Sequence, residues 1–143
     1  MSSIRNQVVT RIVAALIGQT AAGNRVFRSR EDAINLAESP CIVVTPDSEE
    51  SEAFGGGNVD QNTFIVTIEI STRGDPWDAD ADLIAVPVHR TVMRDAELLA
   101  LVTHIRSVSS TWQGKEADQT AGNLATKYRV RYLSPSDDIA TAL

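Results

Sequence analysis

The sequence has few of the residues that build disulfide-stabilised or metal-dependent proteins. It contains one cysteine, Cys41, and two histidines in 143 residues. A single cysteine cannot form a disulfide within one chain, and its place in the apolar run 41–44 predicts a small, buried core residue. Neither His89 nor His104 has cysteines or acidic residues at metal-ligand spacing, so the sequence predicts no metal site and places His89 on the solvent side of a helix.

Long apolar runs and an excess of positive charge are also missing. Charged and polar residues interrupt the segment 4–17, so it is not a signal peptide, and no run approaches the ~20 residues of a membrane span. The net charge of −6 argues against binding nucleic acid through the whole surface. With 43% hydrophobic residues, wholesale disorder is excluded. We expect one domain over 1–143, made in a cytoplasm and not bound to a membrane.

The clearest pattern that is present is a two-residue alternation over 63–71. One side of this extended segment holds Phe64, Val66, Ile68 and Ile70, and the other holds Ile65, Thr67, Glu69 and Ser71. A similar segment, 126–133, sets Tyr128, Val130 and Tyr132 against Lys127, Arg129 and Arg131. Two strands of this kind predict a sheet with one apolar face, which helices must cover.

Two segments have the period of amphipathic helices. The first, 4–17, repeats an apolar residue every four positions, with Ser2 or Ser3 to cap its start and Gly18 to end it. The second follows the first-turn carboxylates Asp78, Asp80 and Asp82, and its predicted buried side is Leu83, Ile84, Val88, Val92 and Met93. Pro87 lies inside this second pattern, where it is expected to kink the helix or reset its start. A second cap and short helical turn are predicted at 95–99.

The remaining elements are shorter and more polar. Strands are predicted at 24–30, 41–45 and 102–112. The segments around them are predicted to be an irregular segment at 31–39, a mobile hairpin loop at 46–62, a hairpin link at 113–123 and a frayed tail at 134–143. The loop contains an acidic run and three successive glycines, which leave it too little apolar surface to offset its ordering entropy. The predicted fold class is α+β: a two-layer sandwich in which two helices cover one face of a mostly antiparallel sheet of four to five strands.

No cluster of residues indicates catalysis. The run 78–82 imitates the start of a calcium loop, but Leu83 and His89 occupy the positions that need glycine and glutamate. The glycines 55–57 lack the strand-to-helix context and the lysine of a phosphate loop, and no serine lies in a nucleophile elbow. We therefore expect a protein that is not an enzyme and that needs no cofactor.

Two charged features remain as candidate contact surfaces. The last strand has a basic face formed by Lys127, Arg129 and Arg131, which would join Arg25, Arg28 and Arg30 in a positive strip if the two strands lie close together. The acidic loop contributes Glu49, Glu50 and Glu52. Opposite charges on one chain predict a head-to-tail contact between copies or a contact with a partner. The alternatives are a solvated sheet face and a loop with no partner.

The order of elements resembles the tail terminator proteins of long-tailed bacteriophages, a family that includes the minor tail protein U of lambdoid phages and related prophage proteins. The resemblance rests on the amphipathic N-terminal helix, an acidic loop, a strand ending near Gly74, an aspartate-rich helix entry, and the segments 20–27 (TAAGNRVF), 39–44 (SPCIVV), 94–98 (RDAEL) and 128–132 (YRVRY). It extends over nearly the whole chain.

This resemblance implies a structural assembly protein. Family members form a six-subunit ring that caps the tail tube, stops its polymerisation and offers a surface to a head-completion or neck protein, while DNA passes through the lumen without sequence-specific binding. It implies assembly in the host cytoplasm and a place at the head-proximal end of the virion tail. The alternatives are another neck or connector component for head-tail joining, and a small α+β ligand-binding regulatory domain.

Overall fold

The structure, a computed structural model, describes residues 2–30, 38–115 and 118–143. In these ranges three helices and five strands follow one another as α1 (Ile4–Leu16), β1 (Val26–Arg28), β2 (Cys41–Ala53), β3 (Val59–Arg73), α2 (Trp77–Arg94), α3 (Ala96–Leu101), β4 (His104–Lys115) and β5 (Asp118–Pro135). The strands form one sheet in the order β1-β2-β3-β5-β4, with β1 parallel to β2 and every other pair antiparallel. The predicted α+β class is confirmed, and the cap and short helical turn predicted at 95–99 correspond to Asp95 and α3.

The core lies between one face of the sheet and the helices. Alternate residues of β3 and β5 point into it, and the predicted apolar set is buried throughout: Phe64, Val66, Ile68, Ile70, Tyr128, Val130 and Tyr132. Cys41 is fully buried, as predicted, and burial raises the pKa of its thiol. The two-residue alternation therefore located the two longest strands correctly.

The first helix also follows its sequence pattern. Ser3 caps α1 by accepting a hydrogen bond from the backbone N–H of Asn6 at 3.2 Å. Gly18 follows the helix with a φ of 77°, a left-handed conformation that glycine adopts without a steric penalty. The side that α1 turns to the sheet is Ile4, Val8, Ile12 and Leu16, all buried.

The second helix departs from its predicted buried side at Leu83. Ile84, Val88 and Val92 are buried as expected, but Leu83 is 72% exposed. Leu83 is one residue from Ile84, a rotation of about 100° that turns it away from the sheet. Pro87 lies within α2 without restarting it. The buried residues on both sides of Pro87 anchor the helix, and tertiary packing of this kind outweighs the local penalty of proline.

The predicted loop over 46–62 is wrong in its secondary structure. β2 and β3 pair continuously from Cys41 opposite Ser71 to Ala53 opposite Asp60, which leaves a short turn at 54–58. Polar side chains hold this part of the sheet together: Ser51 Oγ donates to Asn62 Oδ1 at 2.6 Å, and Asn62 Nδ2 donates to Ser134 Oγ at 2.8 Å. Cross-strand hydrogen bonds replace the apolar contacts that are missing from the sequence here.

The segments predicted on either side of the last strand, a link at 113–123 and a frayed tail at 134–143, also need correction. β4 and β5 extend to Lys115 and from Asp118, so most of the predicted link 113–123 is strand. The tail beyond Pro135 folds back, because Ile139 O accepts the N–H of Ile4 at 2.8 Å and Leu143 N–H donates to Leu133 O at 2.9 Å. Most of the irregular segment predicted at 31–39 lies outside the described residues.

Asp95 joins the helices to each other, and this gives a first prediction. Its carboxylate accepts hydrogen bonds from Arg11 Nε at 2.7 Å and Nη2 at 2.8 Å, and from the backbone N–H of Leu98 at the start of α3. The hydrogen bond to Arg11 holds the pKa of Asp95 below its ordinary value. We expect Asp95→Ala to lower the free energy of unfolding by about 2 kcal/mol at pH 7, because it removes the helix cap and the ion pair together.

The matched control is Asp95→Asn, which keeps a good cap and removes only the charge. A carboxylate with a lowered pKa in the folded state stabilises the fold above its unfolded pKa, and that contribution disappears as pH falls through the folded value. Urea unfolding should therefore show Asp95→Asn losing less stability than Asp95→Ala at pH 7. At strongly acidic pH Asp95→Asn should approach the parent protein, whereas Asp95→Ala should remain less stable, because the protonated carboxyl group of the parent still accepts the N–H of Leu98. Equal losses of stability in the two variants at every pH would contradict the charged interaction assigned to Asp95 and Arg11.

Candidate assembly surfaces

The face of the sheet that points away from the helices has a concentrated basic area. Strand pairing places Arg129 of β5 directly opposite Arg106 of β4, and Arg131 of β5 opposite His104 of β4. We call these four residues the basic patch, and the sheet face that bears them the open face. In a chain with a net charge of −6, this area has the opposite sign to the molecule as a whole.

The arginines of the basic patch have no counter-ion within the described part of the chain. None of Arg106, Arg129 and Arg131 forms an ion pair there, and Arg129 Nε is buried without a hydrogen-bond partner. Lys127 on the same strand differs, since its Nζ lies 3.2 Å from Asp47 Oδ2. Like charges directly opposite each other destabilise a sheet. Among the described residues, therefore, no acidic side chain pairs with these arginines.

The arginines in and beside β1 do not join the patch, because the strip was predicted on the condition that the two strands lie close together, and they do not. Arg30 instead forms an ion pair with Glu38. β2 and β3 separate β1 from β5. Arg25 Nε donates to Pro40 O at 2.8 Å, and Arg28 turns to the helix layer, where its guanidinium donates to Thr10 Oγ1 at 3.0 Å and Asn6 Oδ1 at 2.6 Å. Both residues stabilise local structure at the far edge of the sheet.

The three predicted acidic contact residues divide between the two faces. A bulge between Pro46 and Ser48 shifts the register of β2, so Glu49 points toward the helices while Glu50 and Glu52 lie on the open face. Glu49 forms an ion pair with Arg5 and accepts a hydrogen bond from the hydroxyl of Tyr132. Burial and this hydrogen bond raise the pKa of Tyr132. Glu49 is therefore a structural residue, and Glu50 and Glu52 remain exposed.

The structure adds a second surface that the sequence pattern missed. Four side chains follow the outward side of the first half of α2, and we call them the outer stripe: Asp78, Asp82, Leu83 and Val86. Leu83 and Val86 are 72% and 51% exposed. The spacing of these residues was visible in the sequence, but the order of the helix faces becomes clear only once Ile84 and Val88 are seen against the sheet. His89 follows, exposed as predicted, with Nδ1 3.0 Å from the hydroxyl of Tyr128.

Other site types find little support in the described ranges. They contain no group of three or more histidine, cysteine or acidic residues arranged to hold a metal ion. Nor do they contain a helix with the length and apolar character needed to cross a bilayer. A groove of about 540 Å³ runs along α1, lined by side chains that include Asn6, Gln7 and Thr10. It is an open groove on the surface, unlike the enclosing sites that bind small molecules.

Comparisons with known proteins show a shared fold. No family model matches the chain, and no curated protein matches it. Among solved structures, it is similar to a chain in the virion of a native gene transfer agent particle, with a TM-score of 0.59, 13% sequence identity and coverage of 92% of both chains. At this identity the likeness establishes the fold, and it extends over nearly the full length of each protein.

Proposed function

We propose that this protein is a structural component of a phage-like particle, and specifically a tail terminator: copies of it form a ring that caps the tail tube and stops its polymerisation. One observation supports this most strongly. Its fold matches, end to end, that of a chain from a gene transfer agent virion. The sequence features that resemble tail terminators extend over nearly the whole chain, as does the structural likeness.

The charge distribution supports a role in assembly. Copies with a net charge of −6 repel one another in solution, which opposes premature association. The basic patch offers a local attraction that acts when copies are held side by side, as they would be at the end of a tube. Isolated copies therefore associate only at high concentration, and binding to the tube lowers that concentration through contacts that isolated copies lack. In this proposal the ring has six copies, a neck or head-completion protein binds its other side, and DNA passes through its lumen.

A tube-assembly experiment tests the capping function. The tail-tube protein of the same particle is polymerised alone and with increasing amounts of this chain, and tube lengths are measured by negative-stain electron microscopy. We expect shorter tubes as the chain is added, with one ring-shaped density at a tube end. Tube lengths that do not change, with no density at either end, would overturn the capping role and favour another neck component.

A further inference from the structure

A ring built from one kind of contact requires two different surfaces. A heterologous contact joins one patch to a different patch on the next copy, whereas a contact between identical patches closes after two copies. Glu50 and Glu52 lie on the same open face as the basic patch, with Glu50 two strands from Arg131 through Thr63. Pairing these glutamates with the arginines would place open face against open face and give a two-fold dimer. The acidic surface that completes a ring must lie elsewhere.

The first surface is the basic patch with its surroundings. Ile65 lies in the same cross-strand row as Arg129 and Arg106, so an apolar side chain borders the guanidinium groups. Arg129 Nε is already buried and has no hydrogen-bond acceptor among the described residues. A carboxylate from outside the monomer would give the guanidinium groups of the patch a counter-ion, and charge-assisted hydrogen bonds between arginine and carboxylate are among the stronger polar contacts in proteins.

The second surface is the outer stripe of α2, in the opposite layer of the sandwich. Asp78 and Asp82 are exposed and, within the described residues, take part in no ion pair. Leu83 and Val86 add the exposed apolar area that the centre of an interface requires. The acidic character is confined to the first half of the helix, because His89 and Arg90 follow on the second half. The stripe therefore matches the patch in charge and provides apolar side chains to meet Ile65.

We propose that the basic patch of one copy binds the outer stripe of the next, and that this is the head-to-tail contact of the ring. The open sheet of each copy then lies on the helix layer of its neighbour, so sheet and helix layers alternate around the assembly. This inference rests on the proposed ring. It adds the residues of the contact and accounts for patch arginines that have no ion-pair partner in the described ranges.

Charge reversal on each surface tests the pairing. The patch variant is Arg106→Glu with Arg131→Glu, and the stripe variant is Asp78→Lys with Asp82→Lys. Each should keep the circular dichroism spectrum of the parent and weaken self-association by about 100-fold or more, because like charges then meet across the contact. An equimolar mixture should restore the ring, since the acidic patch of one variant fits the basic stripe of the other and the two unaltered surfaces also match. The control is Asp137→Lys, which reverses an exposed charge on the C-terminal tail, away from both surfaces, and should assemble like the parent.

The outcomes separate this inference from the proposed function. A parent protein that forms rings while the patch and stripe variants assemble normally would overturn the contact and leave the ring intact. A mixture that stays dissociated, or a control that dissociates, would also overturn it. A parent protein that forms no ring would count against the proposed function itself. If the patch variant does not fold, Arg106→Gln with Arg131→Gln replaces it, and unchanged assembly of that folded variant would contradict the pairing.

Discussion

Replacing Gly122 with alanine is expected to lower the free energy of unfolding by about 2 kcal/mol, through overpacking. Trp77, the first residue of α2, lies flat on the sheet above this glycine. A Cβ added to Gly122 would come within 2.6 Å of three atoms of the indole ring, closer than real contacts allow. The ring must move, and the start of α2 must move with it. Urea unfolding followed by circular dichroism measures the loss.

The matched control is Gly114→Ala, in the neighbouring strand directly opposite Gly122. A Cβ at Gly114 would meet the same indole at 3.6 Å, an ordinary van der Waals distance. Because glycine in a strand has a conformational entropy penalty of about 0.5–1 kcal/mol relative to alanine, this variant should be neutral or slightly more stable. Equal losses in the two variants would show that the indole does not rest on Gly122.

The second large effect is expected at Glu49, whose replacement by alanine should destabilise the fold by about 2–3 kcal/mol. The substitution leaves the nearly buried Tyr132 hydroxyl without its hydrogen-bond partner and removes the ion pair with Arg5. Thermal and urea unfolding measure this loss. The effect is structural, so it should be present under conditions in which copies do not associate.

Glu50→Ala is the control for this second prediction, because it changes the adjacent residue of the same strand. Glu50 is exposed and points to the other face of the sheet. Its replacement should change the free energy of unfolding by less than about 0.5 kcal/mol. The two glutamates look alike in the sequence, and a similar loss at both positions would contradict the register shift that the bulge introduces.

That register shift illustrates what the sequence could and could not predict. Phe64, Val66, Ile68 and Ile70 alternate without interruption, so hydrophobic pattern alone identified their strand and its buried face. Beyond Pro46 the strand pairing depends on Asn62 of β3, which forms hydrogen bonds with Ser51 of β2 and Ser134 of β5. No local pattern shows such a long-range polar ladder. The segment 46–62 therefore had the polar composition of a loop, although most of it forms strands.

The candidate surfaces show a similar division. The alternation of Lys127, Arg129 and Arg131 correctly predicted a basic sheet face, but its neighbours follow from the order of the strands. That order brings β4 and its Arg106 beside Arg129 and moves β1 with its arginines to the far edge. Leu83 was wrongly predicted to be buried, because composition does not fix which side of a helix packs against a sheet. Which copy or partner contacts the open face is a property of the assembly and was inferred from charge.

The central claim is that copies of this chain close into a ring, and native mass spectrometry tests it most directly. The parent protein is measured over a concentration series at about 0.1 M ionic strength, where a Debye length of about 10 Å screens the repulsion between whole copies more than the close contacts between the basic patch and the outer stripe. Our account predicts that a species of six copies replaces the monomer as concentration rises and declines again when salt is added. A monomer at every concentration up to the solubility limit, or a series that ends at two copies, would contradict it.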